Sequence, residues 1–176
     1  MSTVVGIVNN GKVWMGADSF ATTIDGERRR TVCNKLFING PYLFGHTGSV
    51  RPGQVLRRQF FTPPKNVLEL PDCIRDHLKK KECLIINPDT QTQLLEGNFL
   101  IATNHGKLYE FLSDFQMNEV IDHTAIGSGA PFSLGSLYTT RKVYNNTHRL
   151  KVALHAAAVY DLHTGPPFII KEFLED

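Results

Sequence analysis

The chain has 176 residues, 41% of them hydrophobic and 20% charged, with a net charge of +2. That length predicts one domain, residues 1–176, with enough chain to bury a real core. The near-neutral charge is no footprint for nucleic acid, and no run of about 18 apolar residues predicts a membrane span. Three cysteines, Cys33, Cys73 and Cys83, are an odd number without metal-ligand spacing. They predict a reduced, cytoplasmic setting.

The chain opens with a β-branched run over residues 3–8, then Asn9-Asn10-Gly11, then a second run over residues 13–17. Alternation around an Asn-Gly turn predicts a β-hairpin. A turn centred on residues 9–11 sets Ser2 opposite Asp18 at the hairpin mouth. The hairpin begins at residue 3, so no propeptide is expected beyond Met1. Methionine aminopeptidase removes Met1 when a small residue such as serine follows. The freed α-amine of Ser2, with an ordinary pKa of about 7.7–8.0, then serves as a base at neutral pH. One residue carries nucleophile and base together. The plain alternative is a first strand with a frayed end.

Residues 19–30 are polar, with a turn at Asp25-Gly26 and a solvated run Arg28-Arg29-Arg30 that lacks the interleaved aromatics of a nucleic-acid patch. Residues 34–38 and 42–45 read as strands around the turn Asn39-Gly40-Pro41, leading into His46-Thr47-Gly48-Ser49. Glycines at a strand end permit close approach of a substrate, and such a turn offers a bare N–H to an oxyanion. Lys35 at a strand start is ordinarily just exposed. Beside a buried Asp18 it would be paired, and would lower the proton affinity of its neighbours.

A helix is expected over residues 53–61 after Pro52, ended by Thr62-Pro63-Pro64, and another over residues 71–81. Residues 84–86 read as a strand and residues 87–97 as a loop. Residues 98–102 and 107–112 flank the hairpin signal Thr103-Asn104-His105-Gly106, and a strand-like pattern continues over residues 119–126. Gly127-Ser128-Gly129 then connects a strand to a helix, where Ser128 can place its hydroxyl beside a neighbouring site. An alanine-rich helix covers residues 150–159. Gly165 is its expected stop, with Asp161 and Thr164 one turn apart on one face. Residues 168–173 form the last strand.

Four separated pieces, in order, carry a family resemblance. They are Ser2-Thr3-Val4-Val5-Gly6 with Asp18 sixteen residues after Ser2; Lys35 followed by Gly45-His46-Thr47-Gly48-Ser49; Ala125-Ile126-Gly127-Ser128-Gly129; and Asp161-Leu162-His163-Thr164-Gly165. The sequence resembles the proteasome β-subunits and HslV, which are N-terminal nucleophile hydrolases. The resemblance implies an α+β fold, a four-layer αββα sandwich. It implies a peptidase with Ser2 as nucleophile, Lys35 tuning the proton transfer and Asp18 holding Lys35. The Gly48 N–H would stabilise the oxyanion, and Ser128, Asp161 and Thr164 would support the terminus. No cofactor or metal is implied. The expected partners are a polypeptide substrate and further copies of the chain in a homo-oligomeric ring. An ATP-dependent unfoldase would feed that ring, although no segment here identifies one.

The sequence departs from the family in carrying serine where threonine is usual and Thr164 where the motif has serine. Thr3 is a rival nucleophile, but it requires loss of two residues, its side chain points to the other side of the strand, and the spacing to Asp18 favours Ser2. Other classes stay open: a non-catalytic structural subunit of a ring, a small-molecule amidase of the same class, or a cysteine-nucleophile enzyme. Oligomeric state separates the ring protease from the amidase.

Overall fold

A computed structural model describes residues 2–22, 27–30, 35–58 and 61–173. Strand β1 (Thr3–Asn9) turns at Asn10-Gly11 into β2 (Lys12–Ala17). Both turn residues have positive φ, 49° and 70°, the conformation a two-residue turn between twisted strands requires. Asn9 pairs with Lys12 and Val4 with Ala17. This tight turn moves the register by one residue from the expected three-residue turn. Continued by one step, it sets Thr3, not Ser2, opposite Asp18.

Strands β3 (Phe20–Thr22) and β4 (Arg28–Arg30) form a small hairpin, so the arginine run is a strand; its expected tip at Asp25-Gly26 lies outside the described residues, as does Cys33. Strands β5 (Leu36–Asn39) and β6 (Tyr42–His46) follow. Helix α1 (Val50–Arg57) starts three residues before the expected position, because Pro52 sits inside its first turn. A proline is tolerated there, where its missing N–H has no helical partner to lose. After a short 3₁₀ turn, α2 (Leu70–Lys80) buries Leu70, Ile74 and Leu78 at four-residue intervals.

Strands β7 (Leu84–Ile86) and β8 (Gln93–Leu95) pair with each other, so the expected loop contains a strand. Next come β9 (Phe99–Thr103), β10 (Leu108–Phe111), β11 (Met117–Val120) and β12 (His123–Gly127). The single strand-like run expected after residue 119 is thus two strands, and they belong to different sheets. Helix α3 (Ala130–Thr139) precedes α4 (Asn146–Tyr160), whose N-terminus is capped by the Asn145 side chain accepting from the His148 N–H at 2.9 Å. Helix α4 stops at Tyr160, not at Gly165, and Asp161 is already extended. Strand β13 (Ile169–Phe173) closes the chain.

Two antiparallel sheets, β12-β1-β2-β13 and β11-β10-β9-β6-β5, form the two inner layers. Three apolar clusters define the stack. Val4, Met15, Leu43, Leu100, Leu108 and Ile126 fill the space between the sheets. Val5 and Ile7, on the opposite face of β1, pack on Leu137, Leu150 and Leu154 of α3 and α4. Phe44, Phe99 and Ile101, on the outer face of the second sheet, pack on Leu56, Ile74 and Leu78 of α1 and α2. The result is a four-layer αββα sandwich. Both faces of β1 are therefore covered, which accounts for a run apolar at nearly every position. A Cβ at Gly45 would lie 2.7 Å from Met15 and Val4, so glycine at that position lets the sheets approach.

Candidate active site

The site gathers where β1 begins, around the end of β2 and the start of β5. Asp18 follows β2 and is fully buried, and Lys35 precedes β5 and is 3% exposed. The Lys35 Nζ donates to Asp18 Oδ1 at 2.6 Å and to the Phe20 carbonyl oxygen at 2.6 Å. The same Asp18 Oδ1 accepts the Thr3 N–H at 2.9 Å, and Oδ2 accepts the Phe20 N–H at 3.0 Å. A carboxylate taken out of water survives as an ion only with this kind of pairing.

A second cluster lies on the α3–α4 side. The Ser128 hydroxyl donates to Asp161 Oδ2 at 2.9 Å, and the Thr164 hydroxyl donates to the same oxygen at 2.6 Å. The Thr164 N–H reaches the Asp161 carbonyl oxygen at 3.3 Å, so the two residues meet through a turn beyond α4, not along one helix face. Thr3 and Thr164 hydroxyl oxygens stand 2.5 Å apart.

Ser2 lies between these clusters and is 5% exposed. Its carbonyl oxygen accepts the Ser128 N–H at 3.0 Å. Gly127, at φ 96°, passes so close that a Cβ would strike that oxygen. The Thr47 methyl would lie 2.9 Å from the same Cβ, which brings the end of β6 beside Ser2. Gly48 follows at φ 83°, and a Cβ there would run into the Glu96 carbonyl oxygen. The flanking N–H groups of Thr47 and Ser49 donate to Asn98 and Glu96 carbonyls at 3.0 and 2.8 Å. The Gly48 N–H has no such partner among the described residues.

Asp18 and Lys35 are thus in direct contact, Ser128, Asp161 and Thr164 form a second contact group, and Ser2 and Gly48 lie alongside. Phe20 contributes backbone groups, and Thr3 contributes its N–H as well as its hydroxyl; main-chain donors and acceptors are not revealed by side-chain chemistry in a sequence. The one cue was Phe20's place two residues after an aspartate, the spacing of an Asx-turn. His46 is 3% exposed, and burial, with the nearby Lys35 charge, pushes its pKa down to about 4. Cys73 and Cys83 carry free thiols. Among the described residues no helix is long and apolar enough to cross a membrane, and no cluster of histidine, cysteine and carboxylate side chains could hold a metal ion.

No protein-family model and no curated protein matches this sequence. Solved structures do. Thiobacillus denitrificans BPH superimposes with a TM-score of 0.83 at 20% identity, over 99% of this chain and 98% of that one. The same protein in complex with epoxomicin gives 0.78 at 19% identity, over 99% of both chains. Eukaryotic HslV from Trypanosoma brucei gives 0.69 at 16% identity, over 97% and 98%. The chain therefore has the proteasome-like fold of these proteins.

Proposed function

We propose that this chain, as one domain over residues 1–176, is a proteasome-like peptidase that uses Ser2 as an N-terminal nucleophile once Met1 is removed. The observation that carries this reading is the buried Lys35–Asp18 pair bonded to the residue that follows Ser2. A buried ion pair is a weak source of stability, so its presence at the mouth of the first hairpin favours a chemical use.

In the proposed cycle the Ser2 amine takes the hydroxyl proton, directly or through a water, as Oγ attacks the peptide carbonyl. Lys35, held by Asp18, tunes that transfer by its positive charge. The oxyanion is held by the Gly48 N–H. Collapse breaks the C–N bond, and the proton passes from the Ser2 ammonium to the departing amine. Water then attacks the Ser2 ester, the amine takes its proton, and the carboxylic acid leaves as Oγ is reprotonated. Ser128, Asp161 and Thr164 keep the terminus in place.

The substrate class is polypeptide, and the assembly is a ring of copies of this chain that encloses the sites, fed by an ATP-dependent unfoldase. The HslV likeness and the epoxomicin complex of BPH support this choice over an amidase or an inactive subunit. The test is intact mass before and after incubation with a peptide epoxyketone. Loss of Met1 and one adduct on Ser2 is the expected result, because that warhead needs both the hydroxyl and the free amine. A processed protein that stays unmodified overturns the assignment. Gel filtration reads the ring.

A further inference from the structure

Thr3 is bonded to both halves of the site. Its N–H donates to Asp18 Oδ1, the oxygen that also accepts Lys35. Its hydroxyl meets Thr164 Oγ1 at 2.5 Å. The direction of that bond follows from proton count. The Thr164 hydroxyl has one proton, which it gives to Asp161 Oδ2 at 2.6 Å. Thr164 must then accept, and Thr3 must donate. A chain of donors runs from Thr3 through Thr164 to the carboxylate that also holds Ser128.

The fit around this chain is tight. Thr3 is fully buried and Thr164 is 1% exposed. A Cβ on Gly129 would run into Thr3 Oγ1 and come within 3.0 Å of Thr164 Oγ1. Alternation along β1 turns the Thr3 side chain toward the α3–α4 layer with Val5 and Ile7, and leaves position 2 on the face of Val4. Thr3 can therefore anchor the chain from one face while Ser2 works on the other.

We infer that Thr3 is a positioning residue for Ser2: its N–H fixes the chain to the Lys35–Asp18 pair, and its hydroxyl fixes it to the Thr164–Asp161 turn. The direction in which the Ser2 amine and hydroxyl leave the strand is set by these two anchors. This inference rests on the reading of Ser2 as nucleophile. Replacing the hydroxyl by a methyl lengthens the contact with Thr164, because carbon and oxygen approach only to about 3.3–3.6 Å. A displacement on the order of 1 Å costs a reaction about 100-fold.

The experiment compares kcat and KM for a fluorogenic peptide, in processed protein, for wild type, Thr3→Val, Thr3→Ala and Thr3→Ser. The expected result for Thr3→Val is a kcat lower by roughly 10- to 100-fold with KM within about twofold, and recovery in Thr3→Ser to within a few-fold of wild type. Thr3→Ala gives the same comparison if Thr3→Val does not fold. Wild-type kcat in the variants lacking the hydroxyl overturns the inference, as does a Thr3→Ser enzyme no better than they are. A purely structural Thr3 lowers the melting temperature and leaves kcat per folded molecule unchanged, which also overturns it. An inert wild type overturns the assignment of Ser2 and this inference with it. An active wild type indifferent to Thr3 overturns this inference alone.

Discussion

Lys35 and Asp18 lie 17 residues apart in sequence and meet at 2.6 Å in a region closed to solvent, where the end of β2 in one sheet meets the start of β5 in the other. The pair has little room to be ornamental. Asp18 accepts three N–H groups and Lys35 holds a main-chain carbonyl as well, so each partner ties together segments from the first hairpin and from β5.

Breaking that pair is expected to cost both stability and activity. In Lys35→Met the Asp18 carboxylate keeps its two main-chain donors but loses its counter-charge. Truncating one side of such a buried pair costs about 3–5 kcal/mol. Urea unfolding at pH 7 reads that loss, and peptide hydrolysis at a temperature where the variant is still folded reads the chemistry. A folded Lys35→Met protein with the wild-type rate would make the lysine structural only.

Ser2→Ala removes the proposed nucleophile and keeps the Ser2 carbonyl oxygen that accepts the Ser128 N–H. Hydrolysis should vanish, the epoxyketone adduct should be absent, and the oligomeric state should match wild type. Residual hydrolysis at the wild-type rate would move the chemistry to another residue.

Gly48→Ala tests the strand end in a different way. Glycine adopts φ 83° without cost, and an alanine there is strained and also meets the Glu96 carbonyl. The clash is with backbone, so relief requires the 47–49 segment to move. The expected outcome is a large fall in kcat as the Gly48 N–H turns away, on the order of 100- to 1,000-fold for one lost oxyanion donor. Equal rates would place the oxyanion elsewhere.

Much of this arrangement is legible in the residues. Alternating β-branched runs around Asn10-Gly11 give the first hairpin, and the likeness to the proteasome β-subunits and HslV implies that Asp18 holds Lys35 and that Ser128, Asp161 and Thr164 stand near the terminus. What hides is what packing and main chain decide. A one-residue difference in turn length changes the partner of Asp18 from Ser2 to Thr3. Strand β8 is polar at its start and is held by β7 rather than by its own propensity. Helix α1 runs through a proline that reads as its boundary. Thr3 looks like a competing nucleophile in sequence because its hydroxyl is visible there and its hydrogen-bond partner, 161 residues away, is not.

His46 supplies a pH dependence whose sign can be worked out. The ring is buried among Phe37 and Phe99 and backs onto Gly53, and its Nδ1 has no hydrogen-bond partner among the described residues. Burial chiefly, and the Lys35 charge next, hold its pKa at about 4, below the ordinary 6.5. The unfolded chain therefore binds a proton at higher pH than the folded one. The stability this contributes is fully present above pH 6.5, falls as the pH drops through the interval down to about 4, and is gone below it. The difference corresponds to roughly 3 kcal/mol across that interval. His46→Leu removes the titrating group without leaving a polar atom in its place. Carboxylates titrate in both proteins and cancel in the comparison. Urea unfolding at pH 7 and pH 4 should show His46→Leu gaining about 3 kcal/mol on wild type between the two. Parallel losses in the two proteins would mean that the folded structure accepts the proton on His46, with the ring opening toward solvent to take it.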